Sequence, residues 1–261
     1  MQFTKENVAE RFREIEKMGW IRSVGSRSNV GAVGDTLEDK FGIKTNNLPI
    51  ANAGPWELKA QRSGTSSLIT LFHSEPLPRK AKIVPCILLP LYGWQHEEAG
   101  KKYPLTEMSF RSTTPGNRFT DRGFRVSVDR TEERVELIFE ASEVEEKHSE
   151  WLASVNRRVG LGQINPQPHW TFSVLTNKIN AKLRNVLYVL ADCCTEKNEE
   201  YFHYCEAWMS EYANLDKFLN EIERGNVLVD FDARTGHNHG TKFRVRQEAY
   251  PSLYMRSEKI K

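Results

Sequence analysis

The sequence predicts an α/β (mixed α+β) fold, with a central mixed sheet flanked by helices and a second lobe. Three observations lead there. Segments of helical period alternate with segments of strand period along the chain, and no internal repeat replaces them. Across 261 residues, 39% are hydrophobic and 28% charged, enough for a sizeable core and too apolar for global disorder.

Thr4 to Met18 places Val8, Phe12, Ile15 and Met18 at helical spacing, with Thr4 as N-cap and Gly19 as the stop. A Gly/Ser/Arg-rich stretch follows from Ser23 to Gly34; with Arg22 and Arg27 it reads as a plain loop or a phosphate-contacting one. Gly34 to Gly42 reads as a short helix capped by Asp35 or Thr36 and stopped by glycine. Trp56 to Arg62 alternates with period two, and Ser67 to His73 is β-branched and apolar, so both are expected strands. Pro, Gly and aromatic residues crowd Pro76 to Gly123 around a strand-like Ile83 to Leu91. Phe124 to Val128 and Arg134 to Phe139 form an expected hairpin, and Gly160 to Pro168 a turn-rich linker.

Thr171 to Asn185 has helical spacing and runs into Val186 to Ala191, a buried-strand pattern. Tyr201 to Ala207 is a strand or a helix entry, and Asn214 to Arg224 a helix. Val227 to Phe231 and Lys242 to Val245 read as strands joined by the loop Asp232 to Thr241. Residues 1–75 and 170–261 are assigned to one core, and 76–169 to an inserted or packed lobe.

Lys+Arg 37 against Asp+Glu 35 gives +2, compatible with nucleic-acid binding only if the basic charge gathers on one face. The four cysteines form no Cys-x-x-Cys pair, which argues against a zinc site or a disulfide framework. The N-terminal residues carry no apolar signal segment, and no uncharged apolar stretch reaches the ~20 residues of a membrane span. A soluble cytoplasmic protein with no membrane partner is expected.

The chemistry concentrates at Glu57-Leu-Lys59. Strand residues two apart share a face, so a carboxylate and an ammonium are presented together. Phosphodiester hydrolysis uses such a set: carboxylates hold Mg²⁺, while lysine orients the attacking water and offsets phosphate charge. Glu-x-Lys alone is common on solvated strands. Glu38 on the upstream helix and the adjoining Gln61-Arg62 strengthen it.

Gly31-Ala-Val-Gly-Asp-Thr-Leu-Glu-Asp-Lys-Phe-Gly-Ile, Asn46-Asn-Leu, Asn52-Ala-Gly-Pro-Trp-Glu-Leu-Lys and Ser67-Leu-Ile-Thr-Leu-Phe-His-Ser-Glu-Pro occur in that order. Asn180-Ala-Lys-Leu-Arg-Asn-Val-Leu-Tyr-Val, Val229-Asp-Phe and His237-Asn-His-Gly-Thr-Lys-Phe-Arg follow. Together they resemble the MvaI/BcnI restriction endonucleases, relatives of the mismatch-repair nicking enzyme MutH within the PD-(D/E)xK superfamily. The resemblance implies a type II restriction endonuclease in which residues 1–75 and 170–261 are a catalytic PD-(D/E)xK core with a C-terminal base-recognition segment, and the 76–169 lobe helps form a DNA-binding cleft. Such an enzyme would cut double-stranded DNA at a short CCNGG-like target, as a monomer nicking one strand at a time. Mg²⁺ is the implied cofactor, with Mn²⁺ as a substitute and no organic cofactor. A bacterial or archaeal host with a cognate DNA methyltransferase, not a physical partner, is also implied.

Position by position, Glu38 matches the helix glutamate supporting the metal site, Glu57 the second metal-ligand acid, and Lys59 the catalytic lysine. Lys182 matches a lysine near the backbone phosphates. Where the family has its first metal-ligand aspartate, this chain has Asn52, a neutral amide where Mg²⁺ favours an anion. An inactivated variant is the favoured reading; a dead copy, or compensation by Asp35 or Asp39, are the others. The base-reading set implied is His73, Asp230, Arg234, His237, His239, Lys242 and Arg244, with Arg244 suited to guanine and Asp230 to the cytosine amino group. An HNH nuclease or a zinc site at His237 and His239 lacks the helix or third ligand it needs. Arg111, Arg118, Arg122 and Arg125 are a solvated loop or a phosphate clamp. The competing functions are a DNA-binding module without catalysis and a MutH-like repair nickase.

Overall fold

The computed structural model describes residues 4–25, 29, 31–43, 53–183 and 185–261; Asn52, Arg27 and the Asn46-Asn-Leu motif lie outside them. In chain order the elements begin with α1 (Lys5–Lys17), β1 (Ile21–Arg22), α2 (Ala32–Lys40), β2 (Glu57–Arg62) and β3 (Ile69–His73). A π-helical segment, Val84–Tyr92, precedes β4 (Trp94–Gln95), β5 (Met108–Thr114), β6 (Arg122–Asp129) and β7 (Arg134–Val144). Then come α3 (Ser149–Val159), β8 (His169–Thr171), α4 (Phe172–Lys182), β9 (Asn185–Glu196), β10 (Glu199–Ala213) and α5 (Leu215–Glu223). The chain continues through β11 (Val227–Arg234), β12 (His237–Asn238), β13 (Lys242–Val245), a 3-10 segment (Gln247–Leu253) and β14 (Tyr254–Lys259). Among the described residues, no helix is long and apolar enough to cross a membrane.

Two compact units result. The first comprises Met1–Ile69, Thr176–Lys217 and Gln247–Lys261; the second, Thr70–Leu175 and Phe218–Arg246. This division differs from the boundaries read from sequence: residues 218–246 belong with the second unit. The reason is hydrogen bonding, since β11 pairs antiparallel with β5 from Val229↔Thr114 to Arg234↔Ser109, and with β13 on its other side.

In the first unit, β1, β10, β9 and β2 are ordered side by side, with β14 also on β10. β2 runs parallel to β9, with Glu57 opposite Val186 and Lys59 opposite Tyr188. One face of this sheet is apolar: Leu58, Leu187, Val189, Ala207 and Met209 pack with Val8, Phe12 and Ile15 of α1 and Val33 and Leu37 of α2. Thr4 caps α1 as expected, its hydroxyl accepting from Asn7 N at 3.2 Å. α2 starts two residues earlier than expected, at Ala32, and neither Asp35 nor Thr36 is its cap. Buried Ala32 and Val33 extend the helix backwards, and the fully buried Thr36 hydroxyl instead donates to Ala32 O and accepts from Val24 N. Tyr201 to Ala207 resolves as strand, in the long β9–β10 hairpin whose tip residues Lys197 and Asn198 have φ of 49° and 68°. Two left-handed residues give the turn the twist of its strands.

The second unit contains a sheet ordered β3-β13-β11-β5-β4, with β12 on β11, and a separate sheet β6-β7-β8. The expected hairpin is β6–β7, in register from Phe124↔Phe139 to Asp129↔Arg134. Ile83 to Leu91 is helical and not a strand: Val84, Leu88, Leu89 and Tyr92 are buried, a spacing that a short apolar run leaves open between strand and helix.

Candidate active site

Ala53 and Trp56 exchange backbone hydrogen bonds of 2.8 and 3.0 Å across a tight turn, in which Gly54 has φ of +61°. That left-handed position suits glycine. The turn drops Trp56 into the core at 2% exposure and delivers Glu57 as the first residue of β2. With Leu58 committed to the apolar face, Glu57 and Lys59 point together to the other. Lys59 Nζ lies 3.2 Å from Glu57 Oε1, and Lys182 Nζ, at the end of α4, lies 4.0 Å from Oε2. The glutamate is 7% exposed, and its Oε2 has no hydrogen-bond partner among the described residues. A buried carboxylate oxygen without a donor is costly unless it has another use.

Three predicted residues, Glu57, Lys59 and Lys182, are thus brought together. Glu38 is partly buried on α2, which packs against β2. The two aspartates considered as compensation are engaged otherwise: Asp39 is exposed and pairs with Lys40 at 2.9 Å, and Asp35 accepts from Asn29 at 3.0 Å. Among the described residues, no group of three or more His, Cys, Asp or Glu is arranged to hold a metal ion.

In the second unit, β11 alternates cleanly: Val229, Phe231 and Ala233 are buried, while Asp230, Asp232 and Arg234 take the other face. On that face Asp230 binds Arg244 at 3.3 Å and accepts from Thr113 Oγ1 at 2.8 Å. Asp232 binds Arg111 at 3.0 Å and Lys242 at 3.7 Å. Arg234 pairs with Glu107 at 2.9 Å and lies over the Tyr103 ring at 4.6 Å. Exposed His237 sits on β12, and its ring stacks at 6.5 Å on that of His239, whose backbone N donates to Asp232 O. His73 is exposed at the end of β3, where a Cβ on Gly240 would approach its ring to 3.3 Å. Asp230, Arg234, Lys242 and Arg244 therefore share one polar sheet face, and both histidines lie by the C-terminal end of β11, where β12 pairs with it.

Arg111 and Thr113 belong to this face, and β5, which carries them, was not expected as a strand. The signal was the alternation Ser109, Arg111, Thr113, hidden among prolines and glycines. The four arginines considered together do separate jobs. Arg118 is exposed, Arg125 lies over Phe119 at 4.9 Å, and Arg122 stacks on Trp94 at 4.1 Å, where burial lowers its pKa. Also missed were the buried rings of Tyr188, the register neighbour of Lys59, and of Tyr250 and Tyr254, which stack with it in turn.

Two solved structures are similar across the whole chain. The restriction endonuclease MvaI–cognate DNA substrate complex has 21% identity and a TM-score of 0.77, covering 100% of both chains. Restriction endonuclease MvaI in the absence of DNA has 20% identity and a TM-score of 0.56, covering 100% of this chain and 99% of that one. At these identities the likeness establishes the fold, a mixed α+β restriction-endonuclease fold. No curated protein matches the sequence. The profile of the MvaI/BcnI restriction endonuclease family matches residues 9–254, nearly the full length. The chain therefore belongs to the MvaI/BcnI restriction endonuclease family, and by that membership is a type II, site-specific DNA endonuclease.

Proposed function

We propose that this chain recognises a short CCNGG-like site in double-stranded DNA and belongs to a Mg²⁺-dependent reaction that nicks the strands one at a time from a monomer. The first unit is the catalytic one and the second reads bases. The observation that carries this reading is the Glu57–Lys59 pair at the buried start of β2, with Lys182 facing the same carboxylate.

The residues suit a divalent ion. Mg²⁺ takes one or two carboxylates and completes its shell with waters and substrate phosphates, and Glu57 Oε2 is a buried lone-pair donor with no competing hydrogen bond among the described residues. Glu57 would hold the ion, with position 52 as the family's first metal-ligand position. When bound, the ion offsets phosphate charge and acidifies water; Mn²⁺ serves as a substitute. Lys59, anchored by Glu57, donates to the attacking water or to the scissile phosphate. Lys182 contacts a phosphate oxygen as a point charge. On the second unit, the Arg244 guanidinium matches guanine O6 and N7, and Asp230 accepts from a cytosine amino group, as G·C pairs in such a target require. His73, Arg234, His237, His239 and Lys242 complete the contacting set. The cell expected is prokaryotic, the enzyme cytoplasmic, and a methyltransferase of the same specificity protects the host DNA.

Asn52 favours a second reading, sequence-specific binding with slow or absent cleavage. The experiment uses supercoiled plasmids with and without CCNGG sites in Mg²⁺, treated with this chain and with Asn52→Asp. Both proteins should bind the site, and Asn52→Asp should give open circles before linear DNA while this chain lags. Equal cutting by the two would remove position 52 from the metal site. Specific binding without cutting by either makes the chain a DNA-binding module.

A further inference from the structure

Arg122 is held by packing and left unused by hydrogen bonding. It opens β6 at a bulge, where the register with β7 shifts between Arg122 and Phe124 and Gly123 takes φ of +71°. A Cβ on Gly123 would collide with Glu140 O, so the kink depends on glycine. Bulges of this kind re-aim a side chain, and Arg122 lies over two indoles. Its guanidinium carbon is 4.1 Å from the Trp94 ring centre and 5.7 Å from that of Trp151. Trp151 is itself fixed, its Nε1 donating to Tyr92 O and Gly93 O at 3.1 and 3.2 Å.

Stacking leaves the edges of a guanidinium, with their N–H donors, open to an acceptor. Arg122 Nε is buried without a hydrogen-bond partner among the described residues. Its ionic neighbour Asp121, at 3.8 Å, is already shared with His148 at 2.7 Å and Lys147 at 3.3 Å. Arg122 and Trp94 line a cavity of about 300 Å³ together with His96, Ser109 and Arg111. Arg111 binds Asp232 through Nε, and Trp94 pairs in register with Ser109, so the cavity lies at the β4 edge of the face proposed to read bases. His96 Nδ1 accepts from Glu98 N at 3.0 Å; the neutral ring therefore carries its proton on Nε2 and is a further donor. Glu97, the one carboxylate of the lining, is exposed and pairs with neither arginine among the described residues. Such a lining offers donors and calls for an anion with more than one acceptor oxygen. A phosphodiester fits, because its two free oxygens match a guanidinium edge.

We propose that Arg122, with Arg111 and His96 beside it, anchors one phosphodiester of the DNA backbone at the edge of the base-reading face. The proposal rests on that face lying against DNA. Its test titrates a labelled CCNGG duplex and a random duplex of equal length in EDTA, by anisotropy across a salt series, with this chain, Arg122→Met and Arg122→Gln. Thermal unfolding is followed alongside, and Arg122→Gln decides where Arg122→Met fails to fold. Single phosphates of the CCNGG duplex are then neutralised in turn as methylphosphonates. Both variants should bind both duplexes about tenfold more weakly, and the slope of log K against log salt should fall by about 0.9. One methylphosphonate should weaken binding to this chain and leave the variants unaffected, the non-additivity of a direct contact. An unchanged slope makes Arg122 a packing residue and overturns the anchor. A lower slope with no such position in the scan makes its charge a diffuse contribution and also overturns it. If this chain binds CCNGG and random DNA alike, base reading fails while the slope still decides for Arg122. Binding to neither duplex would refute the DNA-binding reading of the second unit, and the anchor with it.

Discussion

Replacing Lys182 with glutamine should move two properties in opposite directions. Lys59 Nζ and Lys182 Nζ lie 3.2 and 4.0 Å from the two oxygens of Glu57, so two ammonium groups face one carboxylate. At an effective dielectric of ~20, unit charges ~4 Å apart interact by ~4 kcal/mol. A divalent cation approaching Oε2 meets a repulsion from Lys182 of at least that gross size. The Lys182 side chain is 26% exposed, and solvent screening with rearrangement removes most of it. About 1 kcal/mol should survive, or roughly fivefold tighter Mn²⁺ binding in Lys182→Gln by calorimetric titration. DNA affinity should fall at the same time. One lost phosphate contact reduces the slope of log K against log salt by about 0.9, which anisotropy of a labelled duplex resolves across a salt series. Weaker Mn²⁺ binding in the variant would show that Lys182 does not oppose a cation at Glu57. An unchanged salt slope would show that it touches no phosphate.

Arg244→Ala should cost roughly 1–3 kcal/mol of affinity for the target and little on random duplex; equal losses on both would make Arg244 a phosphate contact. Phe12→Ala opens the core between α1 and the first sheet, where Phe12 is 0% exposed, and should lower unfolding free energy by about 3–5 kcal/mol in urea titrations. Asp121 gives a pH signature. Burial works against its charge, yet His148 at 2.7 Å, with Lys147 and Arg122, holds it below the ordinary 3.8. A carboxylate lowered in the folded state stabilises fully above its unfolded pKa and loses that contribution as pH falls through the folded value. Asp121→Asn should therefore flatten the acid limb of stability against pH, measured by urea unfolding below pH 5; an unaltered limb would show that the charge is not linked to folding.

Much of the candidate site's geometry was legible because it depends on local rules. The period-two alternation of β2 sends Leu58 inward and Glu57 and Lys59 outward, and the Gly54-Pro55 turn fixes where that strand begins. Lys182 was legible from its motif. Its 4.0 Å approach to Glu57 depends on the turn from α4 into β9 and on the parallel pairing of β9 with β2, neither of which is local. The helix at Val84–Tyr92 was misread because its apolar run fits either period. The grouping of residues 218–246 with the second unit was hidden because it is decided by strand pairing over more than a hundred residues, between β11 and β5. Tyr188, Tyr250 and Tyr254 carry no motif; as apolar-looking positions they announce packing, and only the fold reveals that their stack begins opposite Lys59.

Neither compact unit is a continuous stretch of chain: the path crosses from one to the other after Ile69, Leu175, Lys217 and Arg246. Synthesis therefore cannot complete the unit carrying Glu57 until residues 247–261 have emerged, since Tyr250, Tyr254 and β14 are part of it. A ribosome-bound fragment holding Glu57, Lys59 and Lys182 still lacks the strand that edges β10 and the Tyr250 ring that packs on Tyr188. Partial translation products therefore carry the proposed catalytic residues without the finished unit that holds them.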